Sequence, residues 1–172
     1  MLALGPWARD ARGPSGRWVE MGSREPRWLS TTEQQTWRAF LRGGRQLMEA
    51  LDRDLVPYGM CLSEYEIISM LSEAPDHQLR MSELATIVVQ SRSRLTHTAT
   101  RLERRGWVTR APFPGDGRGV LLTLTEAGLA KVIETAPGHL ASVRARLIDQ
   151  LTPAQIKTLG QIMTTVSEGM EQ

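Results

Sequence analysis

Apolar residues recur at helical spacing along most of the chain, and alternate at strand spacing in one short region. Trp37, Phe40, Leu41, Leu47, Met48, Leu51 and Leu55 predict one long amphipathic helix. A capping box, Ser30-Thr31-Thr32-Glu33, opens it, and Pro57-Tyr58-Gly59 ends it. A second box, Ser63-Glu64-Tyr65-Glu66, opens a helix carrying Tyr65, Ile67, Ile68 and Leu71 that closes at Pro75. Leu79-Arg80-Met81 adds a short strand. Ser82 caps a short helix with Leu84, Ala85, Ile87 and Val88, and Ser91 caps the next, which runs to about Arg105 and stops at Gly106.

The period then changes. Trp107-Val108-Thr109 and Val120-Leu121-Leu122-Thr123-Leu124 are β segments around the tip FPGDGRG, where Gly115, Gly117 and Gly119 let the chain turn. Thr125 caps a long helix through Leu151, with a kink expected at Pro137-Gly138. Thr152-Pro153-Ala154-Gln155 opens a final helix with Ile156, Leu159, Ile162, Met163 and Val166. The predicted fold is mainly α with a small β-hairpin wing: long helix, shorter helix, short strand, two short helices, hairpin, two helices. A cationic helix followed at once by a hairpin is the layout of a winged helix-turn-helix. Residues 58–124 form that lobe, with helical segments 30–57 and 125–170 on either side of it.

Residues 1–29 differ in kind. Gly5, Pro6, Gly13, Pro14, Gly16, Gly22 and Pro26 interrupt them, and their charges follow no helical period, as in a flexible arm. The arm holds Trp7, Trp18 and Trp28, three of the five tryptophans. Two readings stand open: Trp28 docks on the body or on a partner subunit, or Met21 is the true start and the preceding residues are an upstream extension.

Charge sharpens the picture through its distribution. The net charge is only +2, yet the window from Arg80 to Arg118 holds eight arginines against Glu83, Glu103 and Asp116. That local excess has the sign that phosphate attracts. Nineteen of the twenty-one basic residues are Arg, a bias so global that it looks like genome composition rather than selection at a site. With Leu95 set at zero on a helical wheel, Ala99 and Leu102 fall within about 40° of it. Arg94, His97, Arg101 and Arg104 fall on the other side with Ser93 and Thr100 beside them, and no acid interrupts that face. The DNA-contacting set is Ser91, Ser93, Arg94, His97, Thr98, Arg101 and Arg104, with Asp116 and Arg118 at the wing tip. Ser91, Ser93 and Arg94 lie at the end that recognition helices insert. Arg94 suits guanine, Arg101 and Arg104 suit phosphate, and Arg118 suits a minor groove, oriented by Asp116.

Other chemistry finds no support in the chain. The glycines near 115–119 lack a Gly-Lys-Ser/Thr ending and no helix follows them directly, which argues against a phosphate cradle. No nucleophile has a plausible base, and there is no HExxH, so an enzyme is not expected. The single Cys61 excludes an intrachain disulfide and any Cys-rich zinc site, and reads as a small buried thiol near a helix start rather than a redox sensor. His77, His97 and His139 are isolated, so no metal or other cofactor is called for. No apolar run approaches the roughly 18 residues of a transmembrane helix, and the N-terminus has no signal-peptide core. A cytoplasmic protein with no membrane role is the default expectation.

The run Asp116-Gly117-Arg118-Gly119-Val120-Leu121-Leu122-Thr123-Leu124-Thr125-Glu126-Ala127-Gly128 resembles the wing signature of the MarR family of bacterial regulators, with its Asp-x-Arg and Leu-Thr-x-x-Gly elements. Met81-Ser82-Glu83-Leu84-Ala85 and the helix from Ser91 to Arg105 match that family's helix-turn-helix in order and spacing. The likeness spans about residues 32–170. It implies a homodimer, with 30–57 and 125–170 as its helical dimerisation region and two winged lobes on double-stranded DNA at a pseudo-palindromic operator. It also implies a transcription factor, most simply a repressor, released when a small aromatic or anionic effector fills a cleft between dimer and DNA lobes. Trp37, Phe40, Arg45, Met48 and Tyr65 are the cleft candidates, and each reads equally well as core or interface. Cys61 lies after the first helix, where the family's peroxide sensors do not carry their cysteine. The alternatives are a winged helix that binds DNA without responding to a ligand, and a protein-interaction module. The arginine face disfavours the latter.

Overall fold

The computed structural model describes residues 27–170, except for the side chains of residues 116–118. Trp7, Trp18 and Met21, and with them most of the expected arm, lie outside the described residues. Two compact units divide the chain after Arg38. In the first, Ser30 caps the helix as expected: its amide donates to Glu33 Oε2 at 2.7 Å, and Glu33 N donates to Ser30 Oγ at 3.3 Å. Trp28 is 70% exposed.

The elements follow the predicted order. Helix α1 spans Thr31–Leu55, α2 Leu62–Glu73, β1 Gln78–Arg80, α3 Met81–Ile87 and α4 Arg92–Arg104. The wing is β2, Val108–Phe113, and β3, Asp116–Leu124; α5 is Glu126–Arg146 and α6 Pro153–Met170. The strands form one antiparallel sheet in the order β1-β3-β2. Leu79 lies opposite Leu122, and Val108 lies opposite Leu124.

Several boundaries differ from the sequence reading, each for a local reason. Helix α2 starts about half a turn earlier than a cap at Ser63 would have it. Cys61 is its N-cap, the Cys61 amide donates to Glu64 Oε2 at 3.1 Å, and Asp52 of α1 accepts the Leu62 amide at 2.7 Å. Likewise Arg80, not Ser82, precedes α3, and its amide donates to Glu83 at 3.4 Å. The hairpin is longer and its tip tighter. Pro114 and Gly115 make the turn, with Gly115 at φ 79°, while Gly117 and Gly119 sit within β3. A register shift at Pro112/Phe113 takes up the three extra residues of β3 between Asp116 and Val120. Helix α5 runs unbroken through Pro137 but ends at Arg146, where a 3₁₀ turn, Ile148–Gln150, replaces its predicted last turn.

The core gathers one face from each element: Leu55 of α1, Ile67, Ile68 and Leu71 of α2, Leu84 of α3, Leu95, Ala99 and Leu102 of α4, Val108 of β2, and Leu122 of β3. Each such side chain contributes roughly 1.5–3 kcal/mol when fully buried, except the smaller alanine. Helix α5 is pinned to the hairpin by its first turn. Thr125 Oγ1 accepts the Gly128 amide at 3.0 Å and donates to Gly106 O at 2.6 Å, while the Thr125 amide donates to Trp107 O at 3.0 Å. Gly128 then approaches so closely that a Cβ there would lie 2.1 Å from Trp107 O. The Leu-Thr-x-x-Gly element is therefore a helix cap followed by a backbone contact that only glycine permits. Farther along, Asp54 of α1 binds Arg146 through two bonds, at 2.7 and 2.8 Å, and accepts a bond from Ser142. These bonds hold the Asp54 carboxyl down at about 2.

In α6 no residue is buried, although Ile162, Met163, Val166 and Met170 are 41–75% exposed along it. A helix with this much exposed apolar surface is stable only when something covers it.

Gly128→Ala is expected to destabilise the protein by about 2–3 kcal/mol, because the clash is with backbone that cannot swing away. Thr125→Ala should cost about 1 kcal/mol. Urea unfolding followed by circular dichroism checks both values, and an unchanged midpoint for Gly128→Ala would contradict the close approach.

Candidate DNA-binding surface

Ser91 begins the surface. Its Oγ accepts the Arg94 amide at 3.3 Å, and its backbone is extended, so α4 starts cleanly at Arg92. The short turn before it runs through Val89, whose φ is 49°. From that start, Ser91, Ser93, Arg94, His97, Arg101 and Arg104 are all exposed, on the side away from Leu95, Ala99 and Leu102. The hydroxyls, Arg94, His97 and Arg101 line one shallow concavity of about 600 Å³ together with Asp52, Cys61 and Ser63.

Thr98 is the exception among the expected contacts. It is 2% exposed, and its Oγ1 donates to Arg94 O at 3.1 Å. Three steps from Leu95 turn the helix by about 300°, which leaves Thr98 only about 60° from the apolar stripe. The angle was legible in the sequence, and it places this hydroxyl with the core. The side chains of Asp116 and Arg118 lie outside the described ones; the strand that carries them is in place at the wing.

Arg101 is more constrained than a free phosphate anchor. Its Nε donates to Glu64 Oε1 at 3.0 Å, and its Nη2 reaches Cys61 Sγ at 3.7 Å. Arg105, one turn on, donates from Nη1 to Glu64 Oε2 at 3.3 Å and to Gly59 O at 2.7 Å, with its guanidinium 4.9 Å from the Trp107 ring centre. Glu64 itself is 2% exposed. Burial pushes its carboxyl up, but the bond from Arg101, the Cys61 amide and the charge of Arg105 outweigh burial and hold it below the usual carboxylate range. Glu64 and Arg105 were missed in the sequence because their partners lie 37 to 41 residues away. The available signal was an acid in the capping box of one helix facing a helix rich in arginine.

The positive window is thus partly neutralised. Glu64 holds Arg101 and Arg105, and Glu103 accepts bonds from Arg110, one of them 3.0 Å from Nε. Among the described residues Arg92 and Arg104 form no ion pair, and Arg94 interacts with Glu66 only through its charge. Arg92, Arg94 and Arg104 are thus exposed cations that no described salt bridge holds, while Arg101 stays half-exposed beside Glu64.

The effector candidates do not converge. Tyr65 is 7% exposed and lines a cavity of about 490 Å³ with Glu66, Ser69, Met70, Ile87, Val88, Val89 and His139. Phe40, Arg45 and Met48 of α1 are exposed and do not line it, and Trp37 belongs to the other compact unit. Among the described residues no group of three or more His, Cys, Asp or Glu could hold a metal, and no helix is long and apolar enough to cross a membrane.

A helix-turn-helix with an exposed basic recognition helix and an adjoining wing defines a winged-helix transcriptional regulator. Residues 58–119 match the family model described as MarR family. Over 86% of its length and 93% of the other's, the chain is 44% identical to Sco3205 from Streptomyces coelicolor, a MarR family transcriptional regulator solved in complex with DNA, with a TM-score of 0.83. It is 41% identical to AbsC of the same organism, another MarR family regulator, over 85% of this chain and 99% of that one, with a TM-score of 0.80. At 31% identity it also matches the HTH-type transcriptional regulator PecS of Dickeya dadantii, over 55% of this chain and 58% of the length of PecS. The chain belongs to the MarR family, a family of transcriptional regulators rather than enzymes.

The depressed Glu64 carboxyl has a definite pH signature. A folded-state pKa below the unfolded one contributes stability in full above the unfolded value of about 4.3 and loses it as pH falls through the folded one. Near neutral pH, Glu64→Gln should therefore cost about 2 kcal/mol, since it leaves two arginines without their partner. The gap to the unsubstituted protein should shrink as pH falls below about 4. Unfolding free energies of the two proteins across an acid series check this; a gap independent of pH would contradict it.

Proposed function

We propose that this protein is a homodimeric repressor that reads a pseudo-palindromic operator and leaves it when a small molecule binds. The observation that carries the reading is the exposed face of α4, with Ser91, Ser93, Arg94, His97 and Arg104 presented on one side and the fold anchored by the other. Arg94, near the helix N-terminus, reaches base edges, and Arg104 meets phosphate. Arg101 meets the backbone while braced by Glu64. Arg118 enters the minor groove from the wing, with Asp116 orienting it. Repression follows from a dimer occupying the DNA that polymerase needs.

The uncovered apolar surface supports dimerisation. Ile133 and Leu140 of α5, Phe40 and Met48 of α1 and the apolar row of α6 are 41–75% exposed in the single chain. A second copy covers such a surface by two-fold symmetry, and that symmetry sets the two recognition helices about one DNA turn apart. Relatives solved with DNA support the nucleic-acid partner, Sco3205 at 44% identity foremost. Effector release works by population shift: a ligand that prefers one lobe spacing draws the dimer away from the spacing that fits the operator.

Selection of bound fragments from random DNA should return an inverted repeat, and affinity for it should fall steeply with salt. Recovery of no motif would sink the reading. Arg94→Ala should narrow the gap between operator and random DNA by about 1–3 kcal/mol, whereas Arg104→Ala should weaken both alike and reduce the salt slope by about one. Sedimentation should give twice the chain mass. Replacing Ile162 and Val166 together with Asp should yield monomers that have lost operator affinity.

A further inference from the structure

The cavity under Tyr65 has a chemistry of its own. Its walls come from α2 (Tyr65, Glu66, Ser69, Met70), from the end of α3 and the following turn (Ile87, Val88, Val89), and from α5 (His139). At about 490 Å³ it falls in the size range of small-molecule sites. Tyr65 and His139 form one aromatic wall, their ring centres 4.4 Å apart and tilted by 44°. Met70, Ile87 and Val88 supply apolar surface of the kind that grips a flat ring.

The charge is one-sided. Among the described residues Glu66 is the only carboxylate on the walls, and no Lys or Arg lines the cavity. Burial lowers the His139 pKa, so the ring stays neutral near neutral pH, and its buried Nδ1 has no hydrogen-bond partner among the described residues. Burial also raises the Glu66 carboxyl, against the opposing pull of Arg94 and a hydrogen bond with Gln90. A half-buried carboxylate beside a neutral aromatic wall gains from a cation and repels an anion. A ligand N–H would also meet acceptors there. We propose that this cavity is the effector site of the regulator and that it takes an aromatic cation, a flat ring bearing a protonated amine, in preference to an aromatic acid. The proposal rests on the ligand-release reading above and gives it a place and a ligand class.

The same walls lead to the DNA surface. Val88 and Val89 form the turn between the two helices of the helix-turn-helix, two residues ahead of the α4 N-cap, Ser91. Val89 holds a φ of 49°, a left-handed conformation unfavourable for a β-branched residue, and it is 90% exposed. Its amide donates to Thr86 O at 3.2 Å, and that of Gln90 to Ala85 O at 3.0 Å. A ring seated against Val88 and Val89 bears directly on the turn that aims α4. A cation on Glu66 also competes for the carboxylate that interacts with Arg94. Both effects disturb the N-terminal end of α4, so occupancy lowers operator affinity.

A matched probe set tests this on the full chain: 2-(1-naphthyl)ethylamine, 2-(1-naphthyl)ethanol and 1-naphthaleneacetate share one ring and differ in charge. By calorimetry the amine should bind at least tenfold more tightly than the acid, with the alcohol between them. Glu66→Gln should abolish the preference for the amine over the alcohol while leaving alcohol binding in place, with circular dichroism confirming the fold. At saturation the amine should weaken binding to the selected operator about fivefold or more, within the range of allosteric couplings. Tighter binding of the acid would overturn the ligand class yet leave ligand release standing if that acid frees DNA. Binding of none of the three, or amine binding that leaves operator affinity unchanged, would overturn the site. Loss of operator binding without any probe present tests the Proposed function instead, so the two failures are distinguishable.

Discussion

A carboxylate that is 2% exposed stays ionised in a protein interior only when cations and hydrogen-bond donors replace the water it has lost. Glu64 has them from two directions. The Cys61 amide bonds it at the start of its own helix, and Arg101 and Arg105 reach it from α4. Because α2 lies in the core through Ile67, Ile68 and Leu71, the carboxylate is fixed relative to the body of the protein. The arginines that bind it fix the recognition helix in turn. A surface made for a polyanion is therefore oriented by an acid beneath it. Arg101 and Arg105 are partly spent on that task, whereas Arg92, Arg94 and Arg104 form no ion pair among the described residues.

The second fixed joint lies at Gly106 and Trp107, directly after the recognition helix. Thr125 and Gly128 hold the first turn of α5 against the backbone of Trp107, so the hairpin and the long helix move together. The Asp54–Arg146 pair then ties the later part of α5 back to α1. The Val89 turn, strained because a β-branched residue holds a left-handed backbone, lies next to a cavity of about 490 Å³. A stiff frame with a strained turn beside a cavity is how a small ligand gains leverage over the helix that follows the turn.

Much of the fold was legible from local signals. Helix starts at Ser30, Ser91, Thr125 and Thr152 follow from short-range capping, where side chain and backbone partners are only three residues apart. The apolar stripe of Leu95, Ala99 and Leu102 follows from helical geometry, which also assigns the opposite face of arginines. Misjudged boundaries had non-local causes. Asp52, ten residues away on α1, captures the Leu62 amide and so helps start α2 before Ser63. Strand pairing across the wing extends β2 and β3 into residues that had read as a glycine loop.

The sequence by itself determined the order of elements, the side of α4 that meets the core, and the family, because each is written in spacing, caps and motifs within a few tens of residues. Tertiary structure alone decided which arginines an acid holds, and that Tyr65 shares a cavity with Glu66 and His139 rather than with Phe40, Arg45 and Met48. Those outcomes depend on contacts between residues 37 to 74 positions apart, such as Glu64 with Arg101 and Tyr65 with His139. Charge pairing and cavity shape arise where separate helices meet, and periodicity along one helix carries no record of its neighbour.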